Sequence, residues 1–212
     1  MSNQSYFKSR FSFQKERKSV WKILTDYLQK EILCESKILD LGAGYCDFIN
    51  NIQGVEKHAL DIFEGIKEYA KKDVQVHIQS AVEMSKFSNE YFDIVFTSNF
   101  FEHLSREELE KTIIEVVRIL KKKGKLIIIQ PNFKYAYREY FDDFTHRLIF
   151  THVSLCDFLK SQGLEIKKVV PKFIPFSMKS KLPKMPFLIK LYLWLPIKPF
   201  ARQMLLIAEK VT

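Results

Sequence analysis

The chain has 212 residues, of which 47% are apolar and 28% charged, a size and balance that fit one globular domain with a substantial core. Its three cysteines, Cys34, Cys46 and Cys156, are odd in number and widely spaced, which excludes a disulfide framework and a CxxC metal site and leaves them as reduced thiols. The net charge of +9 is regional: Lys167 to Arg202 holds nine Lys or Arg and no Asp or Glu, which argues against a generally basic nucleic-acid-binding domain and for one patch facing something anionic.

The polar, basic start MSNQSYFKSRFSFQKERKSVW has no continuous apolar core of the kind a signal peptide needs, so the cytoplasm is the expected compartment. An aromatic, basic arm containing Tyr6 and Arg10 leads into a helix between Phe13 and Ile32, where Val20, Trp21, Ile23, Leu24, Tyr27, Leu28 and Ile32 recur at helical spacing. Seven strands are predicted: Lys37 to Leu41, Lys57 to Asp61, Val74 to Gln79, Phe92 to Thr97, Leu126 to Gln130, Leu164 to Val170 and Gln203 to Ala208. Their alternation with amphipathic stretches predicts an α/β fold, a doubly wound, mostly parallel Rossmann-like sheet covered on both faces. Between the fourth and fifth strands, Ser105 and Glu108 form a capping box, and Lys121 to Lys123 followed by Gly124 are expected to close that helix. Six of the seven prolines fall between the last two strands, so this stretch reads as a basic, proline-rich insertion. One domain is expected over 1–212: an arm and helix to 35, a cofactor-binding core at 36–171, the insertion at 172–202 and a last strand from 203.

The chemistry starts at Lys37-Ile38-Leu39-Asp40-Leu41-Gly42-Ala43-Gly44-Tyr45-Cys46, an apolar strand entering a glycine turn and then a helix, where backbone can approach a nucleotide-like ligand closely. A dinucleotide site would place glycine three residues beyond Gly44, where this chain has Asp47, whose charge repels phosphate; NAD and FAD are disfavoured. ILDLGAGYCDF resembles the first motif of the class I S-adenosylmethionine-dependent methyltransferases, whose cofactor carries a sulfonium and no phosphate. The resemblance implies that Asp40 helps hold the amino acid end of the cofactor while Gly42, Ala43 and Gly44 line its path, with Cys46 standing where the family often has a third glycine. His58-Ala59-Leu60-Asp61 ends a second strand in a carboxylate suited to the ribose hydroxyls, with Ile62 beside it. After the third strand, Ser80 and the Ala81 backbone are the expected adenine contacts. FDIVFTSNFFEHL resembles the family's fourth-strand motif, with Ser98 and Asn99 facing the cofactor and His103 a candidate base.

Beyond the fifth strand, YAYREYFDDFTHRLIFTH is longer than a plain connection and is the expected acceptor loop. Within it His146 is a candidate base and Asp142 its orienting partner, beside Asp143; no metal is expected. LDLGAG, YCDFINNI, SNFFEHL and PFSMKSKLPK together resemble a bacterial methyltransferase group associated with surface-glycan biosynthesis, which implies a sugar or glycan-precursor hydroxyl as acceptor. A small lipid-like or quinone-like acceptor is the alternative within the same chemistry, and a noncatalytic cofactor- or RNA-binding module is the alternative outside it. Residues 175–202 mix lysines with Phe187, Tyr192 and Trp194, a composition suited either to the inner face of a membrane or to a homodimer contact.

Overall fold

The computed structural model describes residues 15–175 and 185–211. Helix α1 (Lys15–Leu28) precedes β1 (Lys37–Leu41), β2 (Glu56–Asp61), β3 (Val74–Ile78) and β4 (Phe92–Ser98). Helix α2 (Arg106–Ile119), β5 (Leu120–Pro131), the short α3 (Phe133–Ala136), α4 (His152–Ser161), β6 (Leu164–Pro175), α5 (Pro186–Trp194) and β7 (Ala201–Lys210) follow. The strands form one seven-stranded sheet in the order β3-β2-β1-β4-β5-β7-β6. The first five pair in parallel, whereas β7 runs antiparallel to both β5 and β6.

Side chains alternate between two buried layers, as a covered sheet requires. Leu39, Leu126, Ile128 and Leu206 pack with Ile113 and Val116 of α2 and Leu155 and Leu159 of α4. Their neighbours Ile38, Ile127, Ile129, Leu205 and Ile207 face the other way, against Trp21, Leu24 and Leu28 of α1 and Leu193 of α5. No helix among the described residues is long and apolar enough to cross a membrane.

Three boundaries differ from expectation. The helix expected after the glycine turn is a run of turns through Asn51, held by two i→i−4 bonds, Asn50 N–H to the Cys46 carbonyl and Ile52 N–H to the Phe48 carbonyl, both 3.0 Å. Helix α2 stops at Ile119, before the lysines, because Leu120 already pairs with Phe92; the strand bulges out before pairing resumes at Lys125, with Lys123 at φ 62°, and Gly124 is needed there because a Cβ would meet the Lys121 carbonyl at 2.8 Å. Strand β6 continues through Pro171 and Pro175, five residues past the expected end. It lies at the sheet edge with register shifts at Val170/Ile174 and Ile174/Pro175, so its outward backbone owes no hydrogen bond that proline would remove. The proline-rich stretch therefore joins the fold: Phe173 and Leu193 are buried in the second layer. Residues 176–184 of it lie outside the described residues.

Candidate active site

The carboxyl ends of β1, β2 and β4 come together at one edge of the sheet, the place where an open parallel α/β sheet receives its ligand. There Gly42 adopts φ 71° and donates its N–H to the Leu60 carbonyl (2.9 Å), while the Phe100 ring lies so close that an added Cβ would meet it at 2.7 Å. Gly44 donates its N–H to Asp61 Oδ2 (2.8 Å), and Phe63 donates to Oδ1 of the same carboxylate (2.9 Å). Asp61 is thus fixed at the end of β2, where burial raises its pKa against the opposing pull of these backbone bonds. Ile62 beside it is exposed. Asp40 is buried beneath the turn, its pKa well above the usual carboxylate range because of burial, with the Ile49 N–H bonded to it and the charges of Asp47 and Asp61 adding to the rise.

Asp47 is paired with Arg17 of α1, whose guanidinium also lies over the Tyr45 ring at 5.3 Å. This pair cancels the charge credited above with repelling phosphate. What still disfavours a phosphate there is the absence of a regular helix start and the engagement of the Gly44 N–H by a carboxylate.

Ser80 is exposed and Ala81 buried just beyond β3, with the Gln79 N–H donating to the Asp61 carbonyl at 3.1 Å, so both stand next to the end of β2. Ser98 and Asn99 close β4. Asn99 has φ 50° and donates its N–H to the Ile129 carbonyl (2.9 Å), while its side-chain oxygen accepts from Gln203 of β7 (2.6 Å). Tyr6 and Arg10 lie outside the described residues.

A second cluster stands on the loops that follow β4 and β5. Arg147 and Leu148 donate their N–H groups to the Glu102 carbonyl (2.7 and 3.1 Å), and Arg147 also pairs with Glu108 in the first turn of α2 (3.0 Å). These bonds carry His146 to His103, with ring centroids 5.0 Å apart. His103 Nδ1 is 2.9 Å from Thr145 Oγ1, which in turn lies 2.6 Å from Asp143 Oδ1. A carboxylate only accepts, so the threonine hydroxyl donates to Asp143 and receives the Nδ1 proton of His103, leaving Nε2 with the lone pair. His146 Nδ1 faces the Tyr140 carbonyl at 2.6 Å and is fixed in the same tautomer. Burial, followed by the neighbouring His146, pushes the His103 pKa down to about 4. Asp143, rather than the exposed Asp142, is the acid joined to a histidine through Thr145.

Sequence reasoning passed over Arg17, Thr145 and the buried Glu102 as site residues; only the adjacent Glu102-His103 pair hinted at the last. Gln130, at the carboxyl end of β5, is also buried, with neither amide atom bonded within the described residues.

Sheet order, the antiparallel β7 and the glycine turn at the carboxyl end of β1 give the chain the Rossmann-like fold that solved methyltransferase structures share. Residues 39–128 match the family model described as a methyltransferase domain. Among curated proteins, a phosphoethanolamine N-methyltransferase of Plasmodium falciparum is 30% identical over 115 residues, half of this chain; the match spans 42% of the relative's length. Among solved structures, a protein of Pyrococcus horikoshii superposes with TM-score 0.68 at 18% identity, covering 99% of this chain and 100% of its own. A SAM-dependent methyltransferase of Archaeoglobus fulgidus gives 0.66 at 19%, with 99% and 100% covered. These two likenesses are likenesses of fold.

Proposed function

We propose that the protein transfers the methyl group of S-adenosylmethionine to a protic nucleophile of a small acceptor, a sugar or glycan-precursor hydroxyl being the first candidate. The observation that carries this reading is the chain Asp143–Thr145–His103, which presents an unprotonated imidazole nitrogen next to the cofactor-binding end of the sheet. Bound S-adenosylmethionine supplies an electrophilic methyl on a sulfonium. Gly42, Ala43 and Gly44 line its path, Asp61 accepts the ribose hydroxyls with Ile62 alongside, Ser80 and Ala81 meet the adenine, and Ser98 and Asn99 face the methionine portion. Tyr6 and Arg10 are proposed to close over it. His103, assisted by His146, removes the acceptor's proton, and Asp143, with Asp142 next to it, keeps the imidazole oriented. Most of the acceleration comes from alignment of the two reactants.

A second reading, an amino-alcohol phosphate acceptor, is favoured by the identity to the Plasmodium relative. The basic stretch from Lys167 to Arg202 suits either a phosphate-bearing acceptor or an anionic membrane that presents one, and in the described part of it Phe187, Trp194, Ile197 and Phe200 are exposed. Self-association through the same face is the competing use.

The deciding experiment is calorimetric titration with S-adenosylmethionine and S-adenosylhomocysteine, followed by transfer of labelled methyl to nucleotide sugars and to phosphoethanolamine. Binding of both cofactor forms with label in one acceptor is the expected result; absence of binding by the intact protein rejects the reading.

A further inference from the structure

We propose that Glu102, His103 and His146 bind a divalent first-row transition-metal cation. A carboxylate oxygen of Glu102 and one ring nitrogen from each histidine lie within 4.8 Å of one another. Glu102 is fully buried, yet neither of its carboxyl oxygens has a hydrogen-bond partner within the described residues. A carboxyl group left so is costly, and a cation is the partner that satisfies an ionised one directly.

The two histidines are prepared in the way that metal-bound imidazoles are. Each has Nδ1 beside an outer partner, His146 beside the Tyr140 carbonyl at 2.6 Å and His103 beside Thr145 Oγ1 at 2.9 Å. Such outer bonds fix ring orientation and raise ligand basicity. The backbone bonds from Arg147 and Leu148 to the Glu102 carbonyl hold the two loops together without help from any metal, so the site is preformed.

Two imidazoles and one carboxylate select zinc, cobalt, iron or nickel over magnesium or calcium, which prefer all-oxygen shells. Three protein ligands leave a coordination position open. Facing the acceptor, that position suits an oxygen or nitrogen of the substrate, whose proton is made more acidic there. The inference rests on the proposed acceptor site and deepens it: the lone pairs given above the task of removing a proton hold the cation, and the acceptor's proton then passes to solvent.

The test uses the full chain, stripped with chelator and dialysed, titrated with Co²⁺ while visible d–d absorption is read, and with Zn²⁺ by calorimetry. One equivalent per chain is expected, with affinity falling at least 10-fold in Glu102→Gln and in His146→Gln. Thr145→Ala, which loosens His103 without removing a ligand, is expected to lose about 10-fold, at the lower end for an outer-shell partner. Should Glu102→Gln fail to fold by circular dichroism, the two remaining variants decide, and His77→Gln serves as a control with unchanged affinity. No cobalt spectrum, or equal affinity in all variants, overturns the site. S-adenosylmethionine titrated into the same samples separates the two readings: cofactor binding without metal binding rejects the cation site alone, whereas metal binding without cofactor binding rejects methyl transfer alone.

Discussion

Asp61 ties the fold to the proposed cofactor site. Its carboxylate ties the glycine turn to β2 through the Gly44 and Phe63 N–H groups, and in doing so holds its oxygens in one orientation. Replacing it with alanine removes charge-assisted bonds worth about 1.5–3 kcal/mol each. Affinity for S-adenosylhomocysteine is expected to fall roughly 10- to 100-fold by calorimetry; an unchanged affinity would remove Asp61 from the cofactor site. Gly42→Ala is expected to destabilise the protein by about 1–2 kcal/mol in urea unfolding, since φ 71° disfavours any side chain and Phe100 leaves no room for one. The glycines and Asp61 were legible in the sequence because each follows a strand whose apolar run marks it. Cys46, at the position where the resemblance implies a third glycine, has φ 57°, a left-handed backbone that glycine adopts without strain. The Asp143–Thr145–His103 chain was not legible, because its middle link joins residues 42 positions apart and depends on how a loop folds back.

At the level of elements, local rules worked where the signal is local. The capping box at Ser105 is present as read: Ser105 Oγ accepts from the Glu108 N–H, and the Glu108 carboxylate accepts from the Ser105 N–H. Ser105→Ala is expected to lower stability by about 1 kcal/mol, measurable as a shifted urea midpoint with unchanged slope. The cap also positions Glu108 to meet Arg147, so the same variant is expected to loosen the acceptor loop; a variant with full stability and full activity would show that the cap matters to neither. Local rules failed at β6. Proline ends a strand by removing a donor, but only where that donor is needed, and edge position is a property of the whole sheet that no window of sequence contains. The same holds for β5, whose early start depends on pairing with Phe92, more than a helix away in the chain.

Across the whole molecule, charge and acidity follow from burial. His58 and His77 stack at 5.1 Å between β2 and β3, with His58 Nδ1 2.9 Å from His77 Nε2 and His58 Nε2 2.8 Å from Glu56, which Lys37 and Tyr91 also contact. Burial lowers both imidazole pKa values, that of His77 to about 4 with the His58 and Lys86 charges assisting. The unfolded chain, with histidines near 6.5, binds protons before the folded one does, so this contribution to stability is full above 6.5 and is lost as the pH falls towards 4. Thermal melts are expected to decline over that window, and less steeply in His77→Gln; identical slopes would exclude the pair as a source. The basic surface is less free than its composition suggests, since Lys167 pairs with Glu165 and Glu209, Lys168 with Glu31 and Arg202 with Glu139. Among the described residues, exposed Lys172 and Lys190 and the aromatic rim around α5 stand outside these ion pairs, and the intact protein is expected to sediment with vesicles rich in anionic lipid and to be released by salt. Equal sedimentation with neutral vesicles would assign that face to another use.

The position of β7 also bears on how the protein is made. It is the last strand in sequence, yet it fills the slot between β5 and β6. A nascent chain emerging from the ribosome can assemble β1 to β5 in order, but until residues 201–210 are released β5 presents an open edge and β6 has nothing to join. A stop shortly before Ala201 therefore leaves more than a missing tail. It leaves β5 with an open edge and β6 without a strand to pair with, the kind of product that cellular proteases clear before any question of catalysis arises.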